Sequence, residues 1–179
     1  MSARATSARG VSDVARFQAT LRRVRLLVLD VDGVLTDGRL FYGPAGERLK
    51  AFHVRDGYGI KQVAEAGISI AIISGRKSPA VARRARDLGI RHVAQGTSDK
   101  LAALLKLAKA RGLALEDCIC VGDDTPDAPI LAAAGLGVAV ADAHQDAIDA
   151  ADLVTTRAGG CGAVREVCDW LMAARKGSS

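Results

Sequence analysis

Aromatic residues are nearly missing from this 179-residue chain: phenylalanine, tyrosine and tryptophan together make up 3% of it. With 49% of the residues hydrophobic, the core must be built from aliphatic side chains and alanine. That favours α/β layers over an aromatic-rich β-sandwich. Cysteine is scarce as well. Cys118, Cys120, Cys161 and Cys168 form no Cys-x-x-Cys pair, which argues against a structural zinc site and a disulfide framework. Cys118 and Cys120 alternate along an apolar run, where thiols behave as small hydrophobes. No apolar stretch reaches membrane-spanning length, and no hydrophobic signal-peptide core opens the chain. A soluble, cytoplasmic protein without a membrane partner is expected. Basic residues exceed acidic ones by 25 to 20, a formal charge of +5. No dense basic block interleaved with aromatics accompanies this excess, so nucleic acid is not an expected partner. The length suits a single domain able to bury a sizeable core.

What is present is organised around residues 24–38. Val24-Arg25-Leu26-Leu27-Val28-Leu29 is short, aliphatic and almost unbroken, the pattern of a central strand buried on both faces of a parallel sheet. It runs directly into Asp30-Val31-Asp32-Gly33-Val34-Leu35-Thr36-Asp37-Gly38. Two carboxylates one residue apart repel each other and need a compensating charge, for which a hard divalent cation is the usual answer. Acids at the C-terminal end of a parallel strand also lie where open α/β sheets bind ligands.

The rest of the chain alternates strands with helices. Residues 1–12 are small, polar and basic and read as a flexible leader, followed by a short helix within 14–21. Two strand-like runs around Gly43-Pro44-Ala45-Gly46 predict a β-hairpin over about 37–54, placed as a flap over the acidic loop. A helix from Asp56 to about Ala66 follows, then a strand over 68–73. Ser78-Pro79 supplies an N-cap and a first-turn proline for the next helix. Further strands are expected at 91–94, 118–121, 137–140 and near 153–154. Helices are expected at about 99–110, after Pro126, at about 145–150 and at 162–174, leaving 175–179 as a tail. This is a doubly wound, Rossmann-like parallel sheet with helices on both faces, in one domain over 13–174.

Three strands end alike, in Asp30-Val31-Asp32-Gly33, in Ser74-Gly75-Arg76 and in Gly122-Asp123-Asp124. With Lys100 near a helix start, parallel topology gathers three carboxylates, a hydroxyl and two cations at one edge. A hydroxyl, amides beside a glycine and a lysine are what a phosphoryl group needs from its surroundings.

In this order and spacing the set resembles the haloacid dehalogenase superfamily of phosphatases. The match narrows with His53-Val54-Arg55-Asp56-Gly57 and with the segment Gly159-Gly160-Cys161-Gly162-Ala163-Val164-Arg165-Glu166-Val167. These resemble the 3-deoxy-D-manno-octulosonate 8-phosphate phosphatases. That resemblance implies a fold without a large cap domain and a homotetramer in which hairpin and C-terminal segment enclose a neighbour's site. It also implies a role in lipopolysaccharide biosynthesis and Mg²⁺ as cofactor. Asp30 would be the nucleophile that forms an aspartyl-phosphate, and Asp32 the general acid and base. Asp30, Asp123 and the backbone carbonyl of Asp32 would hold the metal. Ser74, Gly75 and Lys100 would bind phosphate, with Lys100 also catalytic. Substrate contacts would come from Asp32, His53, Val54, Arg55, Asp56, Gly57, Lys61, Arg76 and Arg84. The chain departs from the family where His53 replaces a common asparagine, and where Lys61 and Cys161 replace frequent arginines.

Blander roles stand beside these. Ser74 has the composition of a turn residue, and Lys100 and Arg84 that of exposed helix cations. Asp124 and Asp127 divide between capping the helix near Pro126 and orienting metal ligands. Rival functions are a phosphatase of a nine-carbon ulosonate phosphate, a phospho-accepting receiver domain, and an inactive regulatory domain. Arg76 argues against the first, Asp32 against the second, and the intact set of acids with Lys100 against the third.

Overall fold

The short aliphatic runs do become parallel strands. In a computed structural model, which describes residues 8–9 and 14–176, the chain opens with β1 (Ala8–Arg9), α1 (Gln18–Arg23) and β2 (Leu26–Leu29). A hairpin of β3 (Phe41–Gly43) and β4 (Gly46–Leu49) follows. Then come α2 (Val54–Glu65), β5 (Ser69–Ser74), α3 (Pro79–Asp87), β6 (His92–Gln95) and α4 (Lys100–Ala110). The second half holds β7 (Cys118–Gly122), α5 (Ala128–Ala133), β8 (Leu136–Ala139), α6 (Gln145–Ala150), β9 (Leu153–Val154) and α7 (Ala163–Lys176).

The main sheet has the order β1-β9-β8-β7-β2-β5-β6, and every pairing in it is parallel. From β2 the chain winds outward to β5 and β6, then returns to β7 on the other side of β2. The strand order therefore reverses between β2 and β7, and that switch point opens a crevice at their C-terminal ends. Asp30 follows β2 and Asp123 follows β7, so the two acids meet there.

Side chains alternate between two cores, as a strand period of two requires. Leu27, Leu29, Ile70, Ile72, Ile119 and Val121 pack with Ile60 and Val63 of α2, Val81 of α3 and Val164, Val167 and Leu171 of α7. Leu26, Val28, Ala71, Ile73, Cys118 and Cys120 pack with Leu104 of α4 and with Ile130 and Leu131 of α5 on the opposite face. Each such aliphatic side chain contributes about 1.5–3 kcal/mol on full burial. Phe17, Phe52 and Trp170 only flank the core, partly buried, so its filling is aliphatic.

Several boundaries differ from the sequence expectation. Val24 and Arg25 precede the strand, and α2 starts at Val54 with His53 as its cap. Ala8–Arg9, inside the stretch read as a leader, pairs with Leu153–Val154; residues 1–7 and 10–12 lie outside the described residues. At the other end α7 continues through Lys176. Arg175, assigned to the tail, donates to the carbonyls of Ala66 at 2.5 Å and Val24 at 2.9 Å. Those two acceptors explain why the last turn persists. Among the described residues, no helix is long and apolar enough to cross a membrane.

Candidate active site

Asp30 extends the sheet by one rung, its amide donating to the Val121 carbonyl at 3.1 Å. The chain then winds around the Val31 carbonyl, which accepts from the amides of Val34, Leu35 and Thr36 at 3.2, 2.9 and 3.0 Å. Gly33 makes this turn possible. Its φ is +88°, a region side chains avoid, and a Cβ there would lie 2.0 Å from Asp123 Oδ2. The C-terminal glycine loop packs against the same turn: Gly160 donates to the Val34 carbonyl at 2.9 Å. A Cβ on Gly159 would sit 1.6 Å from the Gly33 carbonyl oxygen.

Below this turn lies an acid cluster in which Asp30 and Asp127 are buried and Asp123 half-buried. Asp30, Asp123 and Asp127 each bring a carboxylate oxygen within 4.8 Å of the others. Lys100, the first residue of α4, reaches in with its ammonium 3.1 Å from Asp30 and 2.6 Å from Asp127. Asp99 caps that helix by accepting from the Ala102 amide at 2.8 Å. Asp127 is fully committed: Oδ1 accepts from Lys100, and Oδ2 accepts from the amides of Asp123 and Asp124 at 3.2 and 3.3 Å. Asp124 caps the turn Thr125–Asp127 by accepting from the Thr125 amide at 2.8 Å. Asp123 Oδ1, by contrast, is buried with no hydrogen-bond donor, and Asp30 Oδ1 has only the Lys100 ammonium at 3.1 Å.

The electrostatics point the same way. Burial, and then the charge of Asp127, push the Asp30 carboxyl up to about 6 despite Lys100. Burial, Asp30 and Asp127 push Asp123 up to about 8. Burial works against the Lys100 ammonium, but Asp30 and Asp127 outweigh it and lift its pKa. Three carboxylates sharing one ammonium, with Asp123 Oδ1 lacking any donor, are a donor set suited to a hard divalent cation. The cluster holds the two carboxylates expected from sequence, Asp30 and Asp123, and adds Asp127; the Asp32 side chain, whose backbone carbonyl was the expected ligand, stands outside it. With the Asp127 oxygens already taken, the open oxygens belong to Asp30 and Asp123.

Ser74, at the end of β5, is buried and lines a cleft of about 180 Å³ with Gly75, Arg76, Lys100 and the acids. Over this cleft the hairpin is pinned by charge pairs in which Lys50 and Glu47, missed by sequence reasoning, meet Asp32 and Arg76. Lys50 bonds Asp32 and lies 3.2 Å from Glu47. Arg76 lies 3.6 Å from Asp32 and 3.7 Å from Glu47, and donates to the Tyr42 hydroxyl at 2.7 Å. Ser78 donates its hydroxyl to Glu47 and does not cap α3 with its side chain. Burial tends to raise the Glu47 carboxyl, but Ser78, Lys50 and Arg76 prevail and hold it below its usual value.

The remaining expected contacts do not line this cleft. His53 caps α2, its Nδ1 accepting from the Arg55 amide at 3.2 Å. Val54, Arg55 and Lys61 are exposed. Asp56 is buried, accepts from the Arg165 amide at 2.8 Å, and is raised by burial. Gly57 is overlaid by Arg84, whose guanidinium carbon stands 5.8 Å from the Phe52 ring centre. Within one chain, then, Asp32 and Arg76 reach the acids and the others stay on α2 and α3.

A family model for haloacid dehalogenase-like hydrolases matches residues 90–166. The 3-deoxy-D-manno-octulosonate 8-phosphate phosphatase of Escherichia coli K12 is 52% identical over 157 residues, 88% of this chain and 84% of its own. The chain belongs to the 3-deoxy-D-manno-octulosonate 8-phosphate phosphatase family of haloacid dehalogenase-like hydrolases. The Salmonella typhimurium relative of the same name is 53% identical over 85% of this chain and 81% of its own. Among solved structures, the Moraxella catarrhalis phosphatase in complex with magnesium, phosphate and 3-deoxy-D-manno-octulosonate aligns with a TM-score of 0.88 and 40% identity. It covers 93% of this chain and 94% of that one. The Yersinia pestis enzyme aligns at 0.87 and 46%, covering 92% and 87%.

Proposed function

We infer that this chain is a magnesium-dependent phosphatase. It hydrolyses 3-deoxy-D-manno-octulosonate 8-phosphate to the free sugar acid and phosphate in lipopolysaccharide biosynthesis. The observation that carries this is the cluster of Asp30, Asp123, Asp127 and Lys100 beside Ser74 and Arg76, in a chain 52% identical to such phosphatases.

Asp30 attacks phosphorus through a carboxylate oxygen, the P–O bond to the sugar breaks, and an aspartyl-phosphate forms. Asp32 gives its proton to the departing sugar oxygen. Water then attacks the same phosphorus while Asp32 takes its proton, and inorganic phosphate leaves with Asp30 restored. The Ser74 hydroxyl and the Gly75 amide hold phosphoryl oxygens, and Lys100 offsets charge on Asp30 and the phosphoryl group. Asp30, Asp123 and the Asp32 backbone carbonyl would hold magnesium, whose positive charge eases the approach of a carboxylate to a phosphate. Asp127 keeps Lys100 and the Asp123 amide in place. Arg76 supplies a cation toward the carboxylate of the sugar acid.

The assembly proposed is a homotetramer in which hairpin and C-terminal segment enclose a neighbour's site, with the hairpin and α2 at the contact. Its support is the apolar exposure of those elements: Phe41 and Leu49 are exposed, Tyr42 is 62% exposed and Val54 79%. In that arrangement Val54, Arg55, Lys61 and Arg84 serve the adjacent subunit's substrate. A cytoplasmic location accords with four cysteines that are all unpaired. The single domain is proposed to run from about residue 13 through α7, with Ala8–Arg9 joining its sheet as an edge strand.

Phosphate release across a panel of sugar phosphates, with magnesium and with chelator, tests the function. Preferential, magnesium-dependent turnover of the octulosonate phosphate is expected. Weak turnover of every sugar phosphate alike would reject the substrate and keep the phosphatase; no metal-dependent turnover at all would reject both.

A further inference from the structure

We propose that Lys50 is a positioning residue for the Asp32 carboxylate, carried into the site by the hairpin. The proposal rests on the acid and base role given to Asp32 above.

Lys50 directly follows β4, on an element whose neighbouring residues Arg48 and Leu49 are exposed. Its own side chain is only 1% exposed. A buried ammonium is costly unless it is paired, and Lys50 has two partners: Asp32 Oδ1 and, at 3.2 Å, Glu47 Oε2. The other Asp32 oxygen faces Arg76 Nε at 3.6 Å. Each oxygen of Asp32 thus meets a different cation, which fixes the rotation of the carboxylate about its last torsion. Of the two cations, Arg76 is 42% exposed and screened by solvent. Lys50 is shielded, so the orientation depends on it more.

Lys50 is also not the only tether of the hairpin. Glu47 accepts from Ser78 on the body of the domain, and Tyr42 accepts from Arg76 at 2.7 Å. Removing the Lys50 ammonium leaves those ties in place and leaves Asp32 with only the solvent-screened Arg76 to orient it. A displaced proton donor harms expulsion of a poor leaving group most, because a good one departs without protonation. The hairpin would then be part of the proton-transfer geometry as well as a cover.

Lys50→Met, Lys50→Arg and Asp32→Asn are to be assayed with magnesium against substituted phenyl phosphates, none of which carries the sugar acid's carboxylate. Lys50→Met should lower kcat for phenyl phosphate on the order of tenfold more than for p-nitrophenyl phosphate. KM for both should move by less than about threefold. Lys50→Arg, which keeps a cation, should recover most of the difference. Equal losses on both substrates, no loss, or a Lys50→Arg profile matching Lys50→Met would overturn the proposal. Asp32→Asn serves as the reference. If it shows no preferential loss on phenyl phosphate, the role of Asp32 itself is wrong. If it shows one and Lys50→Met does not, Lys50 alone is rejected. Should Lys50→Met fail to fold by thermal melting, Lys50→Gln is measured the same way and decides.

Discussion

At the scale of single residues, the site depends on two positions that hold its other residues in place. Gly33 provides both a left-handed turn and the space that the Asp123 carboxylate occupies. Gly33→Ala should therefore displace Asp123 and weaken magnesium binding by about 10–100-fold, as loss of a supporting contact does. Calorimetric titration with magnesium measures this, and an unchanged affinity would contradict the geometry. Asp127 accepts three hydrogen bonds through its two oxygens. Asparagine must turn an NH₂ group toward either Lys100 or the two backbone amides, leaving buried donors opposed, at a cost of about 1–3 kcal/mol. Urea unfolding of Asp127→Asn should show that loss, together with reduced activity. That Asp30, Asp32, Ser74 and Asp123 meet at one cleft was legible in the sequence, because they stand at the ends of aliphatic strand runs. Lys50 and Glu47 were not. Within Glu47-Arg48-Leu49-Lys50 nothing local sets them apart from the charge between them. Their partners Asp32 and Ser78 lie 18 and 31 residues away, a distance local pattern does not span.

At the scale of elements, the strand–helix alternation was readable because a buried parallel strand and an amphipathic helix have different periods. Element ends were harder. His53 accepts from the Arg55 amide and starts α2 two residues earlier than Asp56 suggested. Ser78 has the composition of a cap, yet its hydroxyl goes to Glu47 on the hairpin. The hairpin itself joins the site through Lys50, Glu47 and Tyr42 on one side and presents Phe41 and Leu49 on the other. Sedimentation should find a tetramer. Replacing Phe41 and Leu49 together by serine should shift it toward smaller species and reduce activity on the octulosonate phosphate. A monomer with full activity would rule out sharing of sites between subunits.

At the scale of the whole molecule, the crevice between β2 and β7 concentrates negative charge that the fold alone does not neutralise. Asp30 at about 6 and Asp123 at about 8 are both raised above ordinary carboxylate values. Between the unfolded and folded pKa values the native state binds more protons, so stability without magnesium falls as pH rises through about 6 and then about 8. Magnesium, held by the ionised forms, should raise Tm more at about pH 9 than at about pH 5. Melting curves with and without the ion check the sign, and an equal shift at both pH values would contradict it. The central claim remains that Asp30 takes the phosphoryl group. Its most direct test is an acid-quenched single turnover of 3-deoxy-D-manno-octulosonate 8-phosphate with magnesium, followed by peptide mapping of the phosphorylated protein. The phosphoryl group should be found on Asp30, and none should be trapped in Asp30→Asn. A phosphoryl group on another residue, or full turnover by Asp30→Asn, would contradict the account.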